Sequence, residues 1–413
     1  MIKRLACTSV CLLLCTHVQA YLDNQMLFPF HTRITWRTSD KLSQVSSSLF
    51  FMTAHAGRDC YGNPIDIAEM GGCFDLAKLN KAMNLVGITN PLFLSEWSTS
   101  ELPYRSFGKL RSTGVDFMCE YALSKKLSIG GALSLMHADG RYDYCPLSQA
   151  KDNLKVCNNG QIYPGQEFAL ERARLNANAL LGINPGQWSD TGFSDLEVFV
   201  RYGHIKEYWL KNKQLDINGL VGVIFPTAPI RAINAPAAVA LGGDGHLGFY
   251  AQFEVAAELT DDVFLGGWLY ACKRLAKTQM HRMPMDCEPL NYGVLVASAR
   301  VNPGATVGFS PYVIFDDLQD GFGAYGSFTF LYHFCDGWTY TGPYTPRLNR
   351  IGQESQWINE YFTLGIDYDS TKSPSMREYG PTAFFEFTLP ANIFVARRVA
   401  KNYRISLGVA FHF

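Results

Sequence analysis

No stretch of about 18 consecutive apolar residues interrupts this 413-residue chain after its first twenty positions, so no transmembrane helix is expected. Charge of one sign is also lacking. Lys and Arg number 36 against 37 Asp and Glu, which excludes an overall basic footprint for nucleic acid. Charged residues make up only 18%, below the roughly 25% of ordinary soluble domains. Catalytic signatures are missing as well. There is no G-x-S-x-G elbow, no H-E-x-x-H and no phosphate-binding Gly-Lys-Ser loop, so no enzyme activity is expected. The glycine-rich run Gly242–Gly248 precedes an alternating segment rather than a helix and reads as a turn. No C-x-x-C occurs and no His pair has ligand spacing, so neither a metal nor another cofactor is expected.

What is present begins with an export address. Lys3 and Arg4 precede an apolar run from Leu5 to Val18, and Val18-Gln19-Ala20 is a small-x-Ala cleavage site. Residues 1–20 therefore read as a cleaved signal peptide, and residues 21–413 as one domain.

Strict alternation of apolar and polar residues, the mark of a strand with two unlike faces, then recurs along most of the chain. Val115, Phe117, Cys119 and Tyr121 oppose Asp116, Met118 and Glu120. Leu196, Val198, Val200 and Tyr202 oppose Asp195, Glu197, Phe199 and Arg201. Phe249, Ala251, Phe253 and Val255 oppose Tyr250, Gln252 and Glu254. The segments Leu127–Met136 and Phe362–Tyr368 repeat the pattern, and Phe28–Arg37, Leu215–Phe225, Phe322–Phe334 and Ala383–Leu389 show it more weakly. Ser47–Ala56, Glu167–Leu181, Val263–Cys272, Tyr292–Ala299 and Thr306–Phe315 are further candidates with less contrast, and Ile393–Val399 is a place for a missed strand. Asp66–Val86 is the one stretch suited to a short helix. Several candidates reach the length that a tilted strand needs to cross a bilayer, longer than the 5–6 residues usual in soluble sheets. Aromatics near candidate strand ends (Tyr121, Tyr202, Tyr208, Trp209, Tyr270, Tyr312, Tyr332, Tyr361, Tyr403) suit interfacial girdles.

The chain ends in Tyr403-Arg-Ile-Ser-Leu-Gly-Val-Ala-Phe-His-Phe413, with every second residue apolar up to the terminal Phe. This resembles the bacterial outer-membrane β-barrel superfamily, porin-like members included. Ser406, Gly408, Phe411 and Phe413 match its C-terminal assembly signal position by position. The resemblance implies an outer-membrane location and recognition by the outer-membrane assembly machinery.

The fold expected is all-β, a transmembrane antiparallel barrel of about 16 strands with long loops. Lipid contacts its outer face; a homo-oligomer is left open. The lumen would be lined by Arg33, Arg37, Asp116, Glu120, Arg172, Arg174, Asp195, Glu197, Arg201, Asp216, Glu254, Glu258, Asp367 and Glu386. Charges on that face remain ionised only with water or a partner beside them. A porin-like channel passing small polar solutes by diffusion is the first expectation. Its rivals are a barrel with an internal plug that carries hydrophobic substrates, favoured by an N-terminal segment inside the lumen, and a structural or host-contact surface barrel.

Eleven cysteines are present, three of them in the leader (Cys7, Cys11 and Cys15). In an oxidising compartment the remaining eight suggest loop disulfides Cys60–Cys73, Cys145–Cys157 and Cys272–Cys287, each stabilising its loop by roughly 3 kcal/mol. Cys119 and Cys335 are left over.

Overall fold

A computed structural model describes residues 24–27, 43–99, 101–146, 165–184, 186–208, 213–372 and 380–413. The leader, Arg33, Arg37, the strand candidate Phe28–Arg37 and Cys157 lie outside the described residues. In chain order the elements are β1 (Gln44–Ala54), β2 (Ala56–Arg58), β3 (Pro64–Asp66), α1 (Leu76–Leu85), β4 (Tyr104–Ala122), β5 (Leu127–Pro146), α2 (Glu167–Leu180), β6 (Gln187–Phe193), β7 (Leu196–Tyr208), β8 (Lys213–Phe225), β9 (Gly248–Thr260), β10 (Val263–Arg274), β11 (Lys277–Met283), β12 (Leu295–Asn302), β13 (Ala305–Gln319), β14 (Phe322–His333), β15 (Gly337–Thr339), α3 (Leu348–Glu354), β16 (Trp357–Asp369), β17 (Pro381–Pro390) and β18 (Tyr403–His412).

Twelve strands form one closed antiparallel ring in the order β1-β4-β5-β7-β8-β9-β10-β13-β14-β16-β17-β18, and β18 returns to β1. Closure removes the edges that a bilayer would leave unsatisfied. The alternation explains the polarity of the wall. On β18, Tyr403, Ile405, Leu407, Val409 and Phe411 face outward and are exposed, while Arg404, Ser406 and Ala410 face inward and are buried. On β8, outward Val221 is 62% exposed and its neighbour Leu220 only 4%. An exposed apolar belt around a polar and aromatic interior is the polarity of a membrane-spanning barrel. β6 lies outside the ring but continues β7. The partners of β5 shift by one residue between the two, with Ser194 and Asp195 as the bulge.

Among the described residues the expected strand number of about 16 is corrected to twelve in the ring, and four segments account for the difference. Phe28–Arg37 is outside the described residues. Glu167–Leu181 is helical over α2, because Leu170, Ala173, Arg174, Ala177 and Asn178 fall on one buried helical face. Tyr292–Ala299 leads into β12, which pairs with β11 and β15 outside the wall. Ile393–Val399 forms no strand: the backbone N–H groups of Ile393, Phe394 and Val395 all donate to the Glu360 carboxylate at 2.5–3.0 Å, and only Arg397 bridges to Ile358 of β16. The short helix expected within Asp66–Val86 is α1, capped by Asp75 Oδ1, which accepts from Ala77 N at 2.9 Å and Lys78 N at 3.1 Å.

The connections after β1, β5, β8, β10, β14 and β17 open at one end of the ring; the other end carries the short β4–β5, β7–β8, β9–β10 and β13–β14 connections and the longer β16–β17 one. Asp320 and Gly321 illustrate the short end. Their φ angles of 48° and 93° form the tight turn that joins β13 to β14, with a bulge between Phe315 and Gln319 shifting the register just before it. At the other end the long connections fold into a cap with its own hydrophobic core, built from Phe74, Leu79 and Met83 near α1, Leu170 and Ala177 of α2, Met283 and Leu295 of the β11–β12 hairpin, and Ile351 of α3. Ion pairs stitch it together. Asp286 accepts from Lys81 Nζ at 2.7 Å and Arg347 Nη2 at 3.1 Å, and the Lys81 contact holds its carboxyl below the usual range.

The disulfide expectation is also corrected. Cys60 and Cys145 carry thiols, so neither Cys60–Cys73 nor Cys145–Cys157 is formed, while Cys73 is disulfide-bonded to a residue other than Cys60. Cys272 and Cys287 are thiols too. Cys272 is buried on the inner face of β10, while Cys287 is exposed in the cap beyond β11. The seven residues of β11 carry the chain from the wall to the cap between them.

Candidate functional site: the lumen and its N-terminal insert

Alternation puts one ionisable or aromatic side chain after another on the inner wall. Asp116, 0% exposed, accepts from Ser134 Oγ at 2.7 Å and Ser48 Oγ at 3.3 Å and forms an ion pair with Arg404. Arg404 in turn lies over the Phe50 ring at 4.4 Å. A second network crosses several strands. Arg201 Nε on β7 is 3.3 Å from Glu120 Oε1 of β4, and Arg201 Nη1 is 3.4 Å from Glu254 Oε2 of β9. Glu254 Oε1 then accepts from Tyr312 of β13 at 2.8 Å. Ser128 Oγ donates to Glu120 at 2.5 Å. These groups are dry by protein standards, and their charges are matched by partners rather than by bulk water.

At the bulge, Asp195 is 0% exposed and acts as a hub. It accepts from Arg274 Nη1 of β10 at 2.8 Å, Gly243 N at 2.7 Å and Ala228 N at 3.3 Å. The last two belong to the connection between β8 and β9, which is thereby tied to the wall.

Asn24–Leu27 cross the mouth. Asn24 Nδ2 donates to Ala240 O at 2.7 Å, in the β8–β9 connection. On the other side, Ala400 N donates to Gln25 O at 2.8 Å and Asn402 Nδ2 to Met26 O at 2.9 Å, in the β17–β18 connection. Those connections stand six strands apart on a ring of twelve, opposite one another. Leu27, 0% exposed, joins the core that also holds the inward-facing Met52, Ala138, Phe199, Ile224, Tyr250, Trp268, Tyr270 and Tyr361. Burying one such leucine contributes about 1.5–3 kcal/mol.

The residues expected in the lumen divide accordingly. Asp116 and Glu120 (β4), Asp195 at the bulge, Glu197 and Arg201 (β7) and Asp216 (β8) are buried, and Glu254 and Glu258 (β9), Asp367 (β16) and Glu386 (β17) are half-buried at inward positions. Arg172 and Arg174 are not on a wall strand. They lie on α2 in the cap, Arg172 exposed and Arg174 buried, paired with Glu171 at 2.6 Å. Of the assembly-signal residues, Ser406 faces inward at 2% exposure and Phe411 and Phe413 outward. A Cβ at Gly408 would come within 2.4 Å of the Phe384 ring and 2.5 Å of Ser47 O, so that position needs glycine for packing alone. Tyr270, Tyr312 and Tyr361, expected as girdle residues, point inward at 2–5% exposure; Tyr121, Tyr202 and Tyr403 point outward, and Trp209 lies outside the described residues. The insert was foreseen only as the mark of the plugged-barrel rival, with no residue named for it, and Arg274 and the aromatic lining were not anticipated. Parity alone assigns Arg404 to the inner face, whereas nothing local marks Leu27.

No known protein family and no curated protein matches the chain. Among solved structures it is similar to an outer membrane channel from Pseudomonas putida F1, with 9% identity over 90% of this chain and 96% of that one and a TM-score of 0.49. It is also similar to the CymD monoaromatic hydrocarbon channel (9% identity, 91% and 89% covered, TM-score 0.30) and to the NanC porin (8%, 73% and 94%, 0.32).

Proposed function

We propose that this protein is an outer-membrane channel whose resting lumen is closed by its N-terminal segment and its cap, and that its solutes are apolar or amphipathic small molecules. One observation carries the reading: Leu27 is wholly buried among inward-facing wall residues, and its neighbours are bonded to opposite sides of the mouth. The aromatic lining of Phe199, Tyr250, Trp268 and Tyr270 supports apolar cargo, because such rings offer a large apolar contact area while each Tyr or Trp carries only one polar group. Diffusion of small polar solutes through an open lumen fits the mixed charges less well. A water-filled bore would wet Asp116, Glu120 and Arg201, which are 0%, 1% and 5% exposed.

Planar-bilayer recordings of the full chain and of a variant lacking residues 24–27 test this. Rare or small current steps for the full chain, and large steady ones for the deletion, are expected. Equal, steadily open conductance in both would sink the reading in favour of a general porin.

A further inference from the structure

The β11–β12 hairpin has two faces with different fates. His281, Met283, Leu295 and Ala299 turn into the cap core. Met280 and Arg282 turn the other way, with Val296 directly opposite Arg282 across the ladder. Together with Leu181, Ile230 and Arg231 they line an open groove of about 740 Å³, within the range of small-molecule sites. Its apolar rim is unpartnered, with Ile230 53%, Met280 50% and Val296 40% exposed.

The groove also has a sign. None of its lining residues is acidic, and two are arginines. Arg282 is held rigidly: Nε donates to Ile233 O at 2.9 Å, Nη1 to Gly293 O at 3.0 Å and Nη2 to Leu181 O at 3.1 Å. All three acceptors are neutral carbonyls. Burial with no compensating carboxylate pushes this guanidinium down to about 10. Arg231 is exposed at the rim, its backbone N–H fixed by Asp244 Oδ1 at 2.9 Å.

We propose that this groove binds a small amphipathic anion, with an apolar chain or ring against Ile230, Met280 and Val296 and a single carboxylate between Arg231 and Arg282. A carboxylate there gains two charge-assisted contacts and supplies the negative charge that the half-buried guanidinium lacks. The body covers apolar surface that is otherwise in water. Residues 230–233 of the groove wall belong to the same β8–β9 connection whose Ala240 accepts from Asn24. The occupied groove therefore adjoins the segment that holds the insert. The site stands whether or not the lumen passes solute, so equilibrium binding tests it and conductance does not.

The experiment titrates the full chain in lipid nanodiscs with octanoate, octan-1-ol, octylammonium and acetate by calorimetry, with empty nanodiscs as the blank. Saturable octanoate binding, about tenfold tighter than any of the other three, is expected. Arg231→Glu and Met280→Asp, both at exposed positions, weaken it about as much, with hydrogen exchange in β11 and β12 unchanged as the check on the cap. Octan-1-ol binding as tightly as octanoate would make the groove merely greasy, and acetate binding as tightly would make it merely cationic. Either result overturns the proposal, and so does octanoate binding that both variants leave intact.

Discussion

Asp116 on β4 and Arg404 on β18 form a buried ion pair that passes in front of β1, the strand between them. The pair ties the last strand of the chain to the second strand of the ring, with Ser48 of the intervening β1 donating to the same carboxylate at 3.3 Å.

Removing one member leaves the other charged and without its opposite in a dry lumen. Asp116→Ala is expected to destabilise the folded barrel by roughly 3–5 kcal/mol. Asp116→Ala combined with Arg404→Met should recover much of that loss. Urea unfolding in lipid vesicles reads both; a single variant no less stable than the double would mean the two residues are not coupled.

Leu27→Asp places a carboxylate where no water reaches. The segment should leave its site while the wall persists. The expected record is more frequent conductance steps together with unchanged resistance of the barrel to heating in detergent. Leu27→Ala should give a milder version of the same change.

His281 is buried against the Trp338 ring, 4.8 Å between centroids, and burial lowers its pKa from 6.5 to about 4. The unfolded chain therefore holds the proton more tightly than the folded cap. The cap is most stable above pH 6.5 and weakens as the pH falls from there through 4, by up to ~3 kcal/mol. Hydrogen-exchange protection of β11 measured down this range should fall, and His281→Phe should flatten the fall. Asp244, Arg231 and His246 also act on this ring, in opposing directions.

The thiols give a chemical check on the cap. Cys287 and Cys335 are exposed and Cys272 is buried. A bulky maleimide should modify the first two in the folded protein and reach Cys272 only after denaturation, and a reducing agent should not alter the labelling of these three. Protection of Cys287 until reduction would restore the Cys272–Cys287 disulfide.

The wall was legible where its two faces differ in polarity, and faint where they do not. β9 sets Gln252 and Glu254 against Phe249 and Phe253, and its alternation is plain. β10 sets Phe264, Trp268 and Tyr270 against Leu265 and Leu269. It loses contrast because the packed lumen wants apolar residues on the inside as well. Glu167–Leu181 reads ambiguously because small and charged residues suit either period, and the cap core decides for the helix. Ile393–Val399 has the composition of a strand, yet the Glu360 carboxylate claims its N–H groups from a distant part of the chain. The residues of the insert could not be named for a similar reason. The three residues before Leu27 are bonded to Ala240, Ala400 and Asn402, and no pattern within a few residues of Leu27 encodes partners so far away.

Trp268 and Trp357 both turn inward, at 5% and 3% exposure, on strands β10 and β16. Trp357 lies flat against His333, with 8° between the rings. Any passage opened through the bore has to disturb the surroundings of these indoles. Their ultraviolet emission can thus time the event from within, without a dye attached to the molecule.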